Sequence, residues 1–293
     1  MKTLARGTAL AALLLGSPTL MACATCLCGD PTLTTMGTEK PFAGRKRLSV
    51  DYLSRGETVG EPGVSEHVID EERVTLSLGY APSSDWMFVA SLPMVTREVE
   101  RYDLSHEQGS GVGDLDLTAR WFAPVGNRRH RAGLLFGARL PTSSEQEQNG
   151  TPIDFDAQPG AGATIANLGG WYGHYRSPWF FYSSLVVQQS VNEGYQGYEP
   201  GLAMLLTNHI QYALQYSFAV SFSLDARWKE KDRYFDVADE DSGGVLVMAS
   251  PGMSWGPVTD VLLNLSYQIP AIEDGNGRQE EEPTLRLGVT YDF

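Results

Sequence analysis

Cysteine is nearly missing from this chain. Of 293 residues only Cys23, Cys26 and Cys28 are cysteines, clustered near the N-terminus, so disulfides cannot hold the remainder together. No Cys-x-x-Cys-His occurs, which excludes the usual covalent haem attachment. Positive charge is scarce too: 22 Lys and Arg stand against 36 Asp and Glu, a net −14. That balance argues against nucleic acid as a partner. After position 21 no apolar run approaches the roughly 20 residues that a spanning helix needs.

What is present begins with a leader. Lys2 and Arg6 precede the apolar run Thr8–Leu15, the weaker stretch Gly16–Met21 and the small residues Ala22–Cys23–Ala24. Basic, apolar, small is the order of a signal peptide, so residues 1–24 are read as one, cut after Ala24. An alternative stays open: Leu20–Met21–Ala22–Cys23 resembles a lipoprotein box, with Met atypical at its second position, and would leave Cys23 lipidated. Residues 25–44 follow as a turn-rich N-terminal extension carrying Cys26–Leu27–Cys28.

From residue 45 the dominant signal is alternation at period two, the mark of strands with one greasy and one polar face. In Pro283–Phe293, Leu285, Leu287, Val289, Tyr291 and Phe293 oppose Thr284, Arg286, Gly288, Thr290 and Asp292. The first strand, Lys46–Ser54, sets Leu48, Val50 and Tyr52 against Arg47, Ser49 and Asp51. Further strands are read to Val99 and from Asp114, with a weaker, Gly-rich one at Gln158–Leu168, and then Tyr198–Leu206 and Tyr216–Trp228. Residues 101–112 read as a loop, 169–178 as an aromatic link and 207–215 as a turn region.

The count is twelve, and connections alternate short (81–85, 124–129, 169–177, 207–215, 256–259) and long (55–70, 100–112, 141–157, 191–197, 229–243, 270–283). Segregated loop length and an even strand number fit an all-β fold: a single antiparallel transmembrane barrel over residues 45–293, closed by pairing of its first and last strands. Tyr52, Tyr80, Trp86, Trp121, Trp179, Trp228, Tyr267 and Tyr291 fall mostly at strand ends on the lipid-facing register, as girdle residues do. Both termini are then expected on the periplasmic side of an outer membrane.

Gly111–Val112–Gly113–Asp114–Leu115–Asp116–Leu117 resembles the Gly-x-Gly-Asp-Leu strand start of the meta-pathway phenol-degradation family, and Leu92–Pro93 is similar in position to that family's third strand. Phe293 resembles the C-terminal signal read by the barrel-assembly machinery. The resemblance spans residues 45–293 and implies a barrel with a transport role, naming no substrate; a channel or transporter for small solutes, hydrophobic ones included, is the first functional reading. Outer-membrane lipid and lipopolysaccharide are the implied surroundings.

Chemistry-bearing residues sort by face. Arg47, Asp51, Arg120, Arg139, Asp225, Arg227 and Arg286 fall on the polar register, where they either pair to fill the lumen or form a mixed-charge constriction. Pairing is the simpler reading, because twelve strands enclose less than the aqueous channel of a 16-stranded porin. Cys26 and Cys28 have thiol spacing that suits a soft metal ion or a disulfide, and His130, His174 and His209 fall on or beside turns expected on the same side. The second functional reading is therefore a membrane scaffold for a periplasmic metal or electron-transfer partner; no other cofactor is expected. Outer-membrane phospholipases pair Ser with His on a barrel wall, but here no strand-borne His has a Ser two residues away, and an enzyme is not expected.

Overall fold

The computed structural model describes residues 42–124, 129–215 and 217–293. The leader, most of the extension, Cys26 and Cys28 lie outside the described residues.

Alternating side chains build twelve staves. They are β1 (Lys46–Val59), β2 (His67–Ser83), β3 (Trp86–Arg101), β4 (His106–Val112, continued by Leu115–Phe122), β5 (His130–Leu140) and β6 (Ile165–Arg176). The second half comprises β7 (Trp179–Ser190), β8 (Ala203–Gln215), β9 (Phe218–Lys229), β10 (Gly244–Trp255), β11 (Val261–Gly275) and β12 (Gln279–Glu281, continued by Thr284–Asp292). Each pairs antiparallel with its neighbours in sequence, and β1 pairs with both β2 and β12, so the sheet closes on itself. Closure removes the exposed edges that an open sheet would leave unpaired.

The two faces of each stave have opposite environments. On β2, Leu78 is 55% exposed while Ser77 beside it is fully buried. The outward set is apolar around the circumference, with Leu76, Phe88, Leu117, Phe136, Leu185, Phe222, Val289 and others exposed. Such a belt is stable only in a hydrocarbon surround. At the short-turn end it finishes in Tyr80, Trp86, Trp179, Trp255 and Tyr291, and towards the long-loop end in Tyr52, Trp228 and Tyr267. β1 to β4 continue beyond it, with Glu72, Asp70, Glu98 and Glu100 facing outward above Val74 and Met94.

The alternation of connections holds only in part, because the expected long connections 100–112 and 270–283 shrink to residues 102–105 and 276–278, while 123–129 separates two staves on the other edge. Residues 106–112 continue β4 rather than forming a loop. The sixth stave starts at Ile165 instead of Gln158 and takes in the expected aromatic link, whose turn shrinks to Ser177–Pro178. Glycines 169, 170 and 173 imitate a loop in sequence; in the wall a Cβ on Gly169 would sit 2.6 Å from the Leu185 carbonyl oxygen, and Gly173 lies against the Tyr175 and Phe180 rings. The eighth stave begins at Ala203 and includes residues 207–215, because cross-strand partners satisfy its polar face.

One long connection turns into the barrel. Residues 141–164 carry a short 3₁₀ turn, Phe155–Ala157, whose start is capped by the Asp154 side chain accepting from Asp156 N–H. Gly109 and Gly113 on β4 face this segment. A Cβ on Gly109 would sit 2.0 Å from the Ala157 carbonyl oxygen, and one on Gly113 would sit 2.9 Å from that of Pro159. The glycines therefore let backbone lie against backbone.

Candidate functional site

Three guanidiniums converge on one carboxylate inside the long-loop half. Register places Glu71 of β2 opposite Arg55 on one side and Arg97 on the other. Arg73 projects from the same face of β2 two residues on. The ion-pair distances to Glu71 are 3.4 Å for Arg55, 2.5 Å for Arg73 and 2.8 Å for Arg97. Arg97 also donates from Nη1 to the Gln158 carbonyl at 2.9 Å, fastening the inward segment to this cluster. Gln158 is fully buried, and its side chain accepts from Gln146 N–H and donates to the Gln146 carbonyl.

Asp114 supplies the second fastening. It lies where β4 gains one residue relative to β3, so its carboxylate turns towards the inward segment. It accepts four hydrogen bonds: from Ser143 Oγ (2.6 Å), Ser143 N–H (3.1 Å), Ala161 N–H (2.9 Å) and Gly162 N–H (3.3 Å). The Gly-x-Gly-Asp stretch thus has a local physical meaning: glycines admit the segment and aspartate holds it.

Above the segment, the Phe155 ring lies 4.0 Å from that of Tyr198 and meets Tyr234 edge-on. Tyr198 and Tyr234 belong to a small antiparallel sheet formed by residues of two further long connections. Nearer the short turns, Met87, Phe122, Trp171 and Tyr182 fill the lumen from β3, β4, β6 and β7. Phe122 meets Trp171 edge-on at 5.0 Å, and the Arg120 guanidinium lies over the Trp171 ring at 5.6 Å. Between the two aromatic layers lies a cavity of about 250 Å³, bounded by Met87 and Arg120 on one side and Phe155, Pro159 and Tyr198 on the other.

Of the residues expected on the polar register, Asp51, Arg120, Arg139 and Arg286 line this cavity. Arg139 faces Asp116 across the β4–β5 ladder at 3.7 Å. Arg47 goes instead to the seam, where it pairs with Asp292. Asp225 and Arg227 are buried in the β9 wall off the cavity, with Asp225 opposite Thr207 of β8. Arg97 and Lys229 line the cavity but were not singled out in the sequence. Parity could have found both: Arg97 shares the face of Val95 and Val99, and Lys229 that of Asp225 and Arg227.

The histidines divide. His130 and His174 meet on the outer face near the short turns, with Nδ1 atoms 3.4 Å apart and His130 Nδ1 also 2.6 Å from the Tyr172 hydroxyl. His209, expected in a turn, lies within β8 facing inward, its Nδ1 2.8 Å from Ser223 Oγ on β9. A Ser/His pair therefore does exist, made by cross-strand register that spacing within one strand cannot show. Among the described residues no carboxylate hydrogen-bonds its ring. No group of three or more His, Cys, Asp or Glu side chains arranged for a metal occurs among the described residues.

Fold and lumen together define the class: a closed twelve-stranded transmembrane β-barrel of the outer-membrane type. Solved structures similar to it include the COG4313 outer membrane channel from Pseudomonas putida F1, with TM-score 0.69 and 14% identity, covering 88% of this chain and 98% of that one. The translocator domain of the autotransporter NalP from Neisseria meningitidis gives 0.52 and 12%, covering 88% and 92%. The NanC porin gives 0.51 and 7%, covering 83% and 98%. At these identities the likeness is one of fold. No family profile matches the sequence, the phenol-degradation family included, and no curated protein matches it.

Proposed function

We propose that this chain is an outer-membrane channel for small solutes, hydrophobic ones included, with its short turns and both termini on the periplasmic side. The observation that carries the reading is the closed wall around a lumen that keeps a cavity of about 250 Å³ beneath an inward-folded segment. A barrel built only as an anchor has no need for such a space. The cavity-lining Asp51, Arg120, Arg139 and Arg286 are the proposed constriction residues. Phe293, whose N–H and C=O both bond Lys46 while its ring stays exposed, is the proposed contact for barrel assembly.

The test is conductance in planar bilayers together with solute uptake into liposomes. Discrete conductance steps and uptake are expected; a reconstituted, correctly folded barrel that passes neither ions nor solutes overturns the channel reading. One observation favours the scaffold alternative, in which a periplasmic partner docks on the short-turn rim: the adjacent His130 and His174 stand there. A partner that co-purifies with the wild type and is lost on His130→Ala/His174→Ala substitution would support it.

A further inference from the structure

The cavity wall is asymmetric in charge. Six cationic side chains line it, namely Arg73, Arg97, Arg120, Arg139, Lys229 and Arg286, against the three carboxylates Asp51, Asp114 and Asp116. Those carboxylates are already engaged. Asp114 is taken up by the four hydrogen bonds of the inward segment, Asp116 accepts from Thr118 Oγ1 at 3.1 Å and faces Arg139, and Asp51 accepts from Ser49 Oγ at 3.1 Å. Further carboxylates sit behind the wall and balance part of the charge from there: Glu71 behind Arg73 and Arg97, and Asp232 2.6 Å from Lys229 Nζ. In that cluster Arg55 is shared between Glu71 and Glu281, so Arg73 and Arg97 are the two guanidiniums that Glu71 holds at the cavity.

The rest of the wall is apolar. Val89 and Val95 of β3, Leu135 of β5, Val186 of β7 and Leu205 of β8 face the cavity, and Phe155 and Tyr198 close it from the long-loop side. Guanidiniums present planar, paired donors suited to carboxylate, sulfonate or phosphonate oxygens, and they act more strongly where water is scarce. A hydrocarbon body gains from the valine and leucine surface.

We infer that the lumen cavity binds small amphiphilic anions, with the anionic head among the arginines and the apolar body against the β3–β5–β7–β8 wall. This names the solute class of the proposed channel and rests on that reading. Cations of the same size meet guanidiniums, and neutral isosteres leave them without the added anionic partner.

Matched probes test it. Benzenesulfonate, neutral benzenesulfonamide and cationic benzyltrimethylammonium have similar bodies and differ in charge. Equilibrium binding to the full chain in nanodiscs is expected to favour benzenesulfonate over either by about tenfold or more, the range of one charge-assisted hydrogen bond. Arg139→Gln and Arg286→Gln are each expected to reduce that preference severalfold. The wild-type comparison needs no variant: equal binding of the three probes, or preference for the cation, overturns the inference. Conductance is recorded on the same preparation. Conductance without anion preference overturns the inference and leaves the channel; preference without conductance overturns the channel and leaves the anion site.

Discussion

Arg47 of β1 and Asp292 of β12 clasp the barrel seam, with Nε to Oδ1 and Nη2 to Oδ2 both at 2.5 Å. Arg45 adds a second guanidinium to the same carboxylate at 2.5 Å. The pairing follows from antiparallel register, which sets residue 47 opposite 292 on the inward face. Asp292→Ala leaves two largely buried guanidiniums without their carboxylate and is expected to destabilise the closed barrel by about 1–3 kcal/mol. The heat-modifiable band on a mild-detergent gel should convert to the unfolded position at lower temperature than in the wild type. Asp292→Glu should recover part of the loss.

The inward segment hangs on Asp114. Asp114→Ala removes acceptors from Ser143, Ala161 and Gly162 at once and leaves their N–H groups to water or to nothing. The segment 141–164 should then be cut faster by protease added from the long-loop side, and single-channel conductance should rise severalfold. Unchanged cleavage and unchanged conductance would show that other contacts suffice to hold it.

Gly109→Val attacks the same packing from the wall, since even a Cβ falls 2.0 Å from the Ala157 oxygen. It should raise conductance like Asp114→Ala, and the double variant should add little to either single change, because both release one unit. A fully additive double variant contradicts a shared segment.

Acidity bears on the segment through His67 and Asp156. His67 begins β2 well above the apolar belt, with Nε2 3.5 Å from Asp156 Oδ2. The hydrogen bond to Asp156 raises the imidazole above its usual value; burial opposes this, and the charges of Asp156 and Asp154 and the Ser65 carbonyl add to it. The sign follows: a raised folded value means that stabilisation is fully present below the ordinary value of about 6.5 and is lost as pH climbs through the folded one. NMR titration of His67 should show the raised value, and Asp156→Asn should lower it. Conductance in the wild type should rise from pH 6 to pH 8 more than in His67→Gln.

The belt makes a prediction of its own. Leu76→Arg puts a charge on the lipid face and should cost about 2–4 kcal/mol in folding titrations with vesicles, as expected near a bilayer midplane. Ser77→Thr, one residue away on the lumen face, should not carry that cost.

Period-two alternation made most staves legible, and the seam with them, because lipid and lumen demand opposite side chains at successive positions. Pro283–Phe293 shows this most plainly: its expected partner, orientation and inward residues all hold. Where the pattern misled, the cause is tertiary. Gly169–Gly173 has the composition of a loop and the role of a wall beside bulky inward side chains. Residues 207–215 carry polar groups on both faces, and only the register shows that Asn208 meets Ser183 while His209 meets Ser223. Gln158 looks like the start of a strand and is instead the buried hub of a segment that local periodicity cannot place. Of the site, the cationic register was visible; its sorting into cavity wall, seam and buried wall depends on depth along each stave, which alternation alone does not carry.

The segment on the Gly109–Gly113 face belongs to the same chain as the wall it rests on. Its return after any excursion is unimolecular, fast and independent of protein concentration. Stave number fixes the widest opening this barrel can have; on the proposed channel reading the working aperture is a population, the fraction of time that a few hydrogen bonds on Asp114 and Arg97 are broken. At a few kcal/mol that fraction changes tenfold for each 1.4 kcal/mol, so on that reading substitutions that loosen the segment set permeability as strongly as those that alter contacts with the solute.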